Sequence, residues 1–209
     1  MHSNSKKFIY IESFKTGSRS IVEALNEYNS DFNFFRIYLN KITKKIILKE
    51  LYNFPKKHAK AYEYLDYFGP KKYNEFFKFT FCRNPFDIQV SYFHFMKERK
   101  KHWQHEIVKD MSFDEYILWR CKEDRQLQKN FVVDSEGNLI VDFIGKLENI
   151  NQDLNTVAKK LNLNYQLKHI NSSSHRQYQE YYNKKTEDLI IDHFYEDFEL
   201  FDYPKKILK

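Results

Sequence analysis

The chain is poor in the residues that break or staple a backbone. It has 4 glycines and 4 prolines in 209 residues, about a third of ordinary usage. That excludes Gly/Ser-rich and Pro-rich linkers and makes each glycine's position worth reading. Two cysteines, Cys82 and Cys121, are too few for a disulfide scaffold at this length and suit a reducing compartment. No stretch approaches the roughly 18 apolar residues of a membrane span. The apolar run Phe8-Ile9-Tyr10-Ile11 follows a polar, then basic start and is too short for the core of a signal peptide. The expectation is a soluble cytoplasmic protein with no membrane span. Charge of one sign is lacking too: 35 Lys+Arg against 29 Asp+Glu leave +6. That mild excess fits a protein that handles an anion and is too diffuse to argue for nucleic acid.

Aromatic rings are abundant, with 20 Phe and 16 Tyr. With 42% hydrophobic and 31% charged residues, the chain can bury a ring-rich core, and its length suits a single domain over residues 1–209. Phe8-Ile9-Tyr10-Ile11 has the unbroken apolar pattern of a buried parallel strand. After a polar segment, Ile21, Ala24, Leu25 and Tyr28 share one helical face, and Ser20 with Glu23 spells a capping box at its start. Residues 32–39 and 46–48 could each be a short strand or part of a helix. A helix is expected from Pro55 to Gly69-Pro70. Residues 76–82 read as a second core strand, and Arg83-Asn84-Pro85 breaks it. A well-buried helix follows over 86–97, then one near Ser112 boxed by Glu115. Residues 134–138 form a turn and 139–144 a third strand. Helices over 150–161 and around 189–194 complete the pattern. Strands alternating with helices argue an α/β fold with a central, mostly parallel sheet.

In such sheets ligands sit beyond the C-terminal ends of the strands, where helix N-termini point. Two strand ends here carry polar clusters. The first is Lys15-Thr16-Gly17-Ser18-Arg19-Ser20. Gly17 can take a positive φ and let the backbone approach a ligand. Two cations, three hydroxyls and the N–H groups of a starting helix make an anion cradle. It is not a Walker A loop, because the Lys precedes the Gly. The alternative is a solvated turn. The second cluster is Arg83-Asn84-Pro85, with Ser91 eight residues after Arg83. An Arg fork suits a phosphate; alone, it equally suits a local cap or salt bridge.

Together these clusters resemble the paired nucleotide motifs of sulfotransferases that use 3′-phosphoadenosine 5′-phosphosulfate (PAPS). Residues 14–20 are similar to the family's 5′-phosphosulfate loop, and 83–91 to its 3′-phosphate motif. Asp142-Phe143-Ile144-Gly145-Lys146-Leu147-Glu148-Asn149, His169-Ile170-Asn171-Ser172-Ser173 and the closing segment 195–203 resemble further segments of the carbohydrate-type branch, in the same order. Two positions depart from the pattern. Phe14 replaces the usual Pro, which should soften the start of the loop, and Arg19 replaces a small hydroxyl residue.

The resemblance implies a P-loop-like sulfotransferase fold, its central sheet flanked by helices. It implies a PAPS-dependent enzyme that moves a sulfuryl group to an acceptor hydroxyl on a glycan or small molecule, releases adenosine 3′,5′-bisphosphate, and needs neither metal nor nucleic acid. Lys15, Thr16, Gly17, Ser18, Arg19 and Ser20 would hold the 5′ side, Arg83 and Ser91 the 3′-phosphate, and Lys146, Ser173 and Arg176 the nucleotide. Lys15 would be catalytic. His58 lies in a stretch similar to one from which related enzymes supply a catalytic His or Glu, so it is the expected base, with Glu12 and Glu63 next in line. His94 and His102 are expected to be structural. Two other readings of the residues are a Mg²⁺-dependent nucleotide phosphotransferase on a related scaffold and a non-catalytic anion-binding protein. The acceptor's determinants are expected in 29–54 and 98–130.

Overall fold

A computed structural model describes residues 1–30, 55–167 and 176–207. The expected elements at 32–39 and 46–48, and the segment 169–173, lie outside them. The chain divides into two compact units, Met1–Phe81 with Phe131–Lys168, and Cys82–Asn130 with His169–Lys209.

The first unit is built on a four-stranded sheet in the order β1 (His2–Ser3), β2 (Phe8–Ile11), β3 (Phe77–Cys82), β4 (Phe143–Lys146). β1 pairs with β2 antiparallel, and β2 with β3 parallel, from Phe8 opposite Phe77 to Ile11 opposite Thr80. All four β2 residues are fully buried, as an uninterrupted apolar run requires. Phe8, Tyr10, Phe79 and Phe81 form one aromatic layer, with Tyr10 stacked on Phe79 at 5.1 Å between centroids. Ile21 and Leu25 pack on it from the region of α1 (Ser18–Ala24), and Leu154, Val157 and Ala158 from α6 (Ile150–Leu161). Each of the leucine, isoleucine and valine side chains contributes roughly 1.5–3 kcal/mol on burial. Lys78 alternates to the other face and is nearly buried. The carboxylate of Asp142 accepts from its N–H at 2.7 Å and from its Nζ at 2.9 Å, so one acid offsets the buried charge and ties the start of β4 to β3. At Gly145 a Cβ would lie 2.6 Å from Phe81; only glycine lets β4 approach that closely.

Three expectations need correcting here. Ser20 is not the cap of α1. The helix starts at Ser18 with Gly17 as N-cap and no side-chain cap bond, because the left-handed turn at Gly17 comes first. The helix expected from Pro55 begins instead at Ala61, where the Glu63 carboxylate accepts from the Lys60 N–H at 2.7 Å, and it reaches Asn74 as α2. Gly69, at φ 73° and ψ 158°, breaks the spiral, and Pro70 restarts it in the first-turn position that proline tolerates. The third strand starts later than expected, at Phe143. Leu139 makes only an isolated bridge to Val133.

The second unit is helical: α3 (Pro85–Glu98), α4 (His105–Val108), α5 (Phe113–Glu123), α7 (Lys184–His193) and α8 (Tyr195–Leu200). Asn84 caps α3 by accepting from the Phe86 N–H at 2.9 Å, and Pro85 takes the first helical position. Phe86, Ile88, Val90, Tyr92, Phe93 and Met96 are buried around most of the α3 circumference. Ser112 and Glu115 form the expected capping box of α5. Arg120 of α5 is fully buried. Its Nε donates to Gln89 at 3.2 Å, its Nη1 pairs with Asp124, and its guanidinium lies over the Tyr92 ring. Cys82 and Cys121 are both buried and in no disulfide, and burial pushes the Cys121 thiol up to about 11. Among the described residues no helix is long and apolar enough to cross a membrane.

Candidate functional site

In the first unit the polar segment after β2 folds into a strained turn. Lys15 takes φ 58° and Gly17 φ 74°. The left-handed conformation costs a lysine roughly 1 kcal/mol or more. The fully buried Thr16 between them closes the turn by donating its hydroxyl to the Ser13 carbonyl at 3.1 Å. That hydroxyl proton is therefore spent inside the loop, while Ser18 is half-buried and Ser20 buried. A Cβ at Gly17 would sit 2.7 Å from the Leu147 side chain and 3.3 Å from that of Ile150. Gly17 thus serves packing as well as the turn. With glycine as N-cap, no cap side chain bonds the first turn of α1; the Ser20 N–H donates to the Gly17 carbonyl at 3.0 Å, and a helix start of this kind favours an anionic group.

His58 reaches this loop from 46 residues away in sequence. Its Nδ1 lies 2.9 Å from the Glu12 carbonyl oxygen. A carbonyl can only accept, so Nδ1 carries the proton and Nε2 keeps its lone pair. The imidazole lies on Phe14 at 4.1 Å between centroids, and Phe14 meets Phe131 edge-on at 5.4 Å. Phe14 therefore does not soften the start of the loop as the loss of proline suggests; ring packing fixes it. Burial, more than the neighbouring Lys57, lowers the His58 pKa below its ordinary value, so the ring is neutral and able to take a proton near neutral pH. Of the two residues next in line as base, Glu63 accepts from the Lys60 N–H and Glu12 lies 3.7 Å from the Met1 amino group. Lys146 ends β4, its N–H bonded to Asp153 at 2.7 Å.

In the second unit Arg83 leaves β3 held on several sides. Gln128 accepts from its N–H at 2.9 Å and donates to its carbonyl at 2.8 Å. Its Nε pairs with Asp87 at 2.8 Å, one turn along. The local salt bridge weighed from sequence is present, and it orients the guanidinium. Ser91 is only 2% exposed. Arg176 is exposed, beside Glu180 at 3.7 Å and over the Tyr181 ring. Ser173 lies outside the described residues. His94 bonds the Tyr181 hydroxyl at 2.8 Å, a structural role. The first unit thus gathers Lys15–Ser20, His58 and Lys146, and the second holds Arg83, Ser91 and Arg176.

A model of the sulfotransferase family matches residues 1–204. The chain belongs to the sulfotransferase family. No curated protein and no solved structure matches it. As a transferase of this family, it has positioning residues that sequence reasoning missed. Gln128 lies in no motif, yet it grips both sides of the Arg83 backbone. Gln128 and Lys129 in turn donate their N–H groups to the buried Asp197 carboxylate at 2.9 and 2.8 Å. Burial pushes that carboxyl up to about 6. The closing segment 195–203, read only as a family likeness, thereby supplies the acid that holds the Gln128 backbone in place. An Asp between aromatic residues near the chain's end was the only available signal.

Proposed function

We propose that the enzyme transfers a sulfuryl group from PAPS to a hydroxyl of a carbohydrate or a related small molecule, as a single P-loop-like sulfotransferase domain. The observation that carries this reading is His58. A neutral imidazole, with its proton fixed on Nδ1 by the Glu12 carbonyl, sits beside an anion-type loop in a chain of this family. The donor set fits a phosphorylated donor: a glycine without a Cβ, a helix start without a side-chain cap, and Lys15 beside it. PAPS would supply an activated sulfuryl group on a phosphate leaving group.

The chain's own residues have four tasks. The 16–20 backbone and the Ser18 and Ser20 hydroxyls bind the 5′-phosphate. Lys15 offsets the charge that builds on the leaving oxygen, the kind of interaction that matters most in the transition state. Arg83, Ser91, Lys146, Ser173 and Arg176 hold the nucleotide, with Arg83 and Ser91 on the 3′-phosphate that separates this donor from ATP. His58 Nε2 accepts the proton of the acceptor hydroxyl as general base. We assign no metal to the transfer, because a sulfuryl group carries one negative charge fewer than a phosphoryl group and Lys15 supplies positive charge at the leaving oxygen.

The test is calorimetric titration of adenosine 3′,5′-bisphosphate in the presence of a chelator, followed by a sulfate-transfer screen over sugar, lipid and small-molecule acceptors. Binding with tenfold or greater preference over adenosine 5′-phosphate, and transfer to a sugar hydroxyl, support the reading. No preference for the bisphosphate overturns the donor, and transfer only to a non-sugar hydroxyl overturns the acceptor.

A further inference from the structure

In the second unit, the turn between α3 and α4 holds an indole out in solvent. Trp103 is 71% exposed, more than any other large hydrophobic side chain among the described residues, and Ile107, four positions on across the first turn of α4, is 43% exposed. The turn is fixed on both sides of the tryptophan. The His102 N–H donates to the Arg99 carbonyl at 2.7 Å, and the His105 N–H to the His102 carbonyl at 2.9 Å. Gln104 is buried, and its Nε2 donates to Asp124 at 2.6 Å. His105 is buried too, with its Nδ1 donating to the Met96 carbonyl at 3.0 Å. On the other side the Arg99 guanidinium lies over the Phe95 ring at 4.8 Å, Phe95 meets His102 edge-on at 5.2 Å, and the His102 ring stacks with Trp103 at 6.0 Å. These anchored neighbours leave Trp103 turned outward.

The charge beside it is one-sided. Arg99, Lys100 and Lys101 are exposed and make no ion pair among the described residues. Lys97 stands apart from them, because its Nζ donates to the Met111 carbonyl at 2.8 Å. Of the acids from 98 to 109, Glu106 is paired with Lys109 at 2.6 Å, and Glu98 lies 4.0 Å from the His94 ring. Three successive cations repel one another in the absence of an anion. An indole held in water forgoes the burial that an aromatic ring usually finds. A partner that is negative at its surface and apolar just beneath satisfies both. An anionic lipid leaflet has that profile: headgroup phosphates attract Lys and Arg, and the zone below them is where tryptophan settles. Trp103 projects rather than lining a groove, which suits entry into a soft interface.

We infer that the turn 99–107 is a docking surface for an anionic lipid bilayer. Arg99, Lys100 and Lys101 meet the headgroups, and Trp103 with Ile107 enters the boundary between headgroups and acyl chains. The contact is peripheral and reversible, since two apolar side chains and three cations fall far short of a permanent anchor. It requires no helix that crosses the membrane. None of these residues is assigned above to the donor or the base, and the inference does not rest on the sulfotransferase reading.

The test is co-sedimentation of the full chain with vesicles of phosphatidylcholine alone and of phosphatidylcholine with about 30% phosphatidylglycerol. The anionic vesicles should be bound at least tenfold more tightly, and the preference should fade between about 0.1 M and about 1 M salt, as the screening length falls from ~10 Å to ~3 Å. Lys100→Ala with Lys101→Ala, and separately Trp103→Ala, should each weaken that binding roughly tenfold. All three positions are exposed, and unaltered thermal melting confirms folding. The chain has two tryptophans, so Trp119→Phe leaves Trp103 as the only indole. Its emission should shift to the blue on anionic vesicles and be quenched by brominated acyl chains. Equal binding to both vesicles, binding that survives the variants, or a bound chain whose Trp103 emission does not move overturns the inference. So does a Trp103-dependent association with an oligonucleotide or with a second copy of the chain in the absence of vesicle binding, which would assign the surface to that partner.

Discussion

The turns after β2 and β3 do the same topological job and are built in opposite ways. The first is held by its backbone: two left-handed residues, a hydroxyl turned inward and a glycine pressed against Leu147. The second is held by side chains from elsewhere in its unit: Gln128 on both faces of the Arg83 peptide, Asp87 on the guanidinium, Asn84 as a cap. A backbone-built turn offers N–H groups and tolerates few substitutions at its glycine. A side-chain-built turn presents one oriented cation and depends on distant residues. The contrast suits the proposed roles, a loop around a phosphosulfate and an arginine on a single phosphate.

The sharpest way to break the comparison is His58→Ala on the first turn. It should cut sulfate transfer by roughly 10²–10⁴-fold and leave bisphosphate affinity unchanged. Because the His58 pKa is lowered by burial, the wild-type rate should stay on its plateau down to a pH below the ordinary histidine value of ~6.5, then fall as the ring protonates. The variant should lose that acidic limb. A normal rate in the variant would assign the base to another residue.

On the second turn, Asp197 gives the next largest effect. Its pKa is about 6 in the fold against an ordinary 3.8, so between those values the folded chain holds a proton that the unfolded chain has released. Stability from this group is therefore greatest at low pH and declines as pH rises through about 4 to 6, by up to ~3 kcal/mol. Asp197→Asn should flatten that decline in denaturant titrations at pH 4 and 6.5. A parallel pair of curves for the two proteins would show the carboxyl to be ionised throughout.

Arg83→Ala should weaken adenosine 3′,5′-bisphosphate binding by about 1.5–3 kcal/mol, the range for a charged hydrogen bond, and barely change adenosine 5′-phosphate binding. Gln128→Leu, which leaves the guanidinium in place but strips the peptide clamp, should reproduce part of that loss, about 0.5–1.5 kcal/mol. Calorimetry showing equal losses for both nucleotides would mark Arg83 as structural. The smallest effect belongs to the backbone turn. Gly17→Ala should cost about 1–2 kcal/mol of stability, through the left-handed φ and the contact with Leu147. A thermal melt equal to wild type would mean that the turn relaxes at little cost.

Much of this architecture could be read ahead of the structure. Phe8–Ile11 announced a buried parallel strand because an unbroken apolar run has no polar face to leave outside. Asn84-Pro85 announced a helix start because each residue has one well-defined place there. Ser112 with Glu115 announced the next by the same local chemistry. Gly17 announced a left-handed turn. The failures are equally specific. Ser20 and Glu23 have the spacing of a capping box, but the turn at Gly17 starts the helix three residues earlier. Gly69-Pro70 looks like a stop, yet the chain resumes its helix, because proline is an acceptable first residue after a break.

The site divides along the same line. The sequence by itself determined the loop 15–20, the Arg83-Asn84-Pro85 turn and the order of motifs that mark the family, since each is set by neighbours within a few residues. It could nominate His58 but not say what the ring touches. Only the tertiary structure decided that Glu12 fixes its tautomer, that Phe14 lies against its ring, and that Gln128 and Asp197 brace Arg83. Those are contacts between residues 44 to 69 positions apart. Spacing along a chain carries no record of them, because they form only when burial of the aromatic layer and the helical core brings distant segments together.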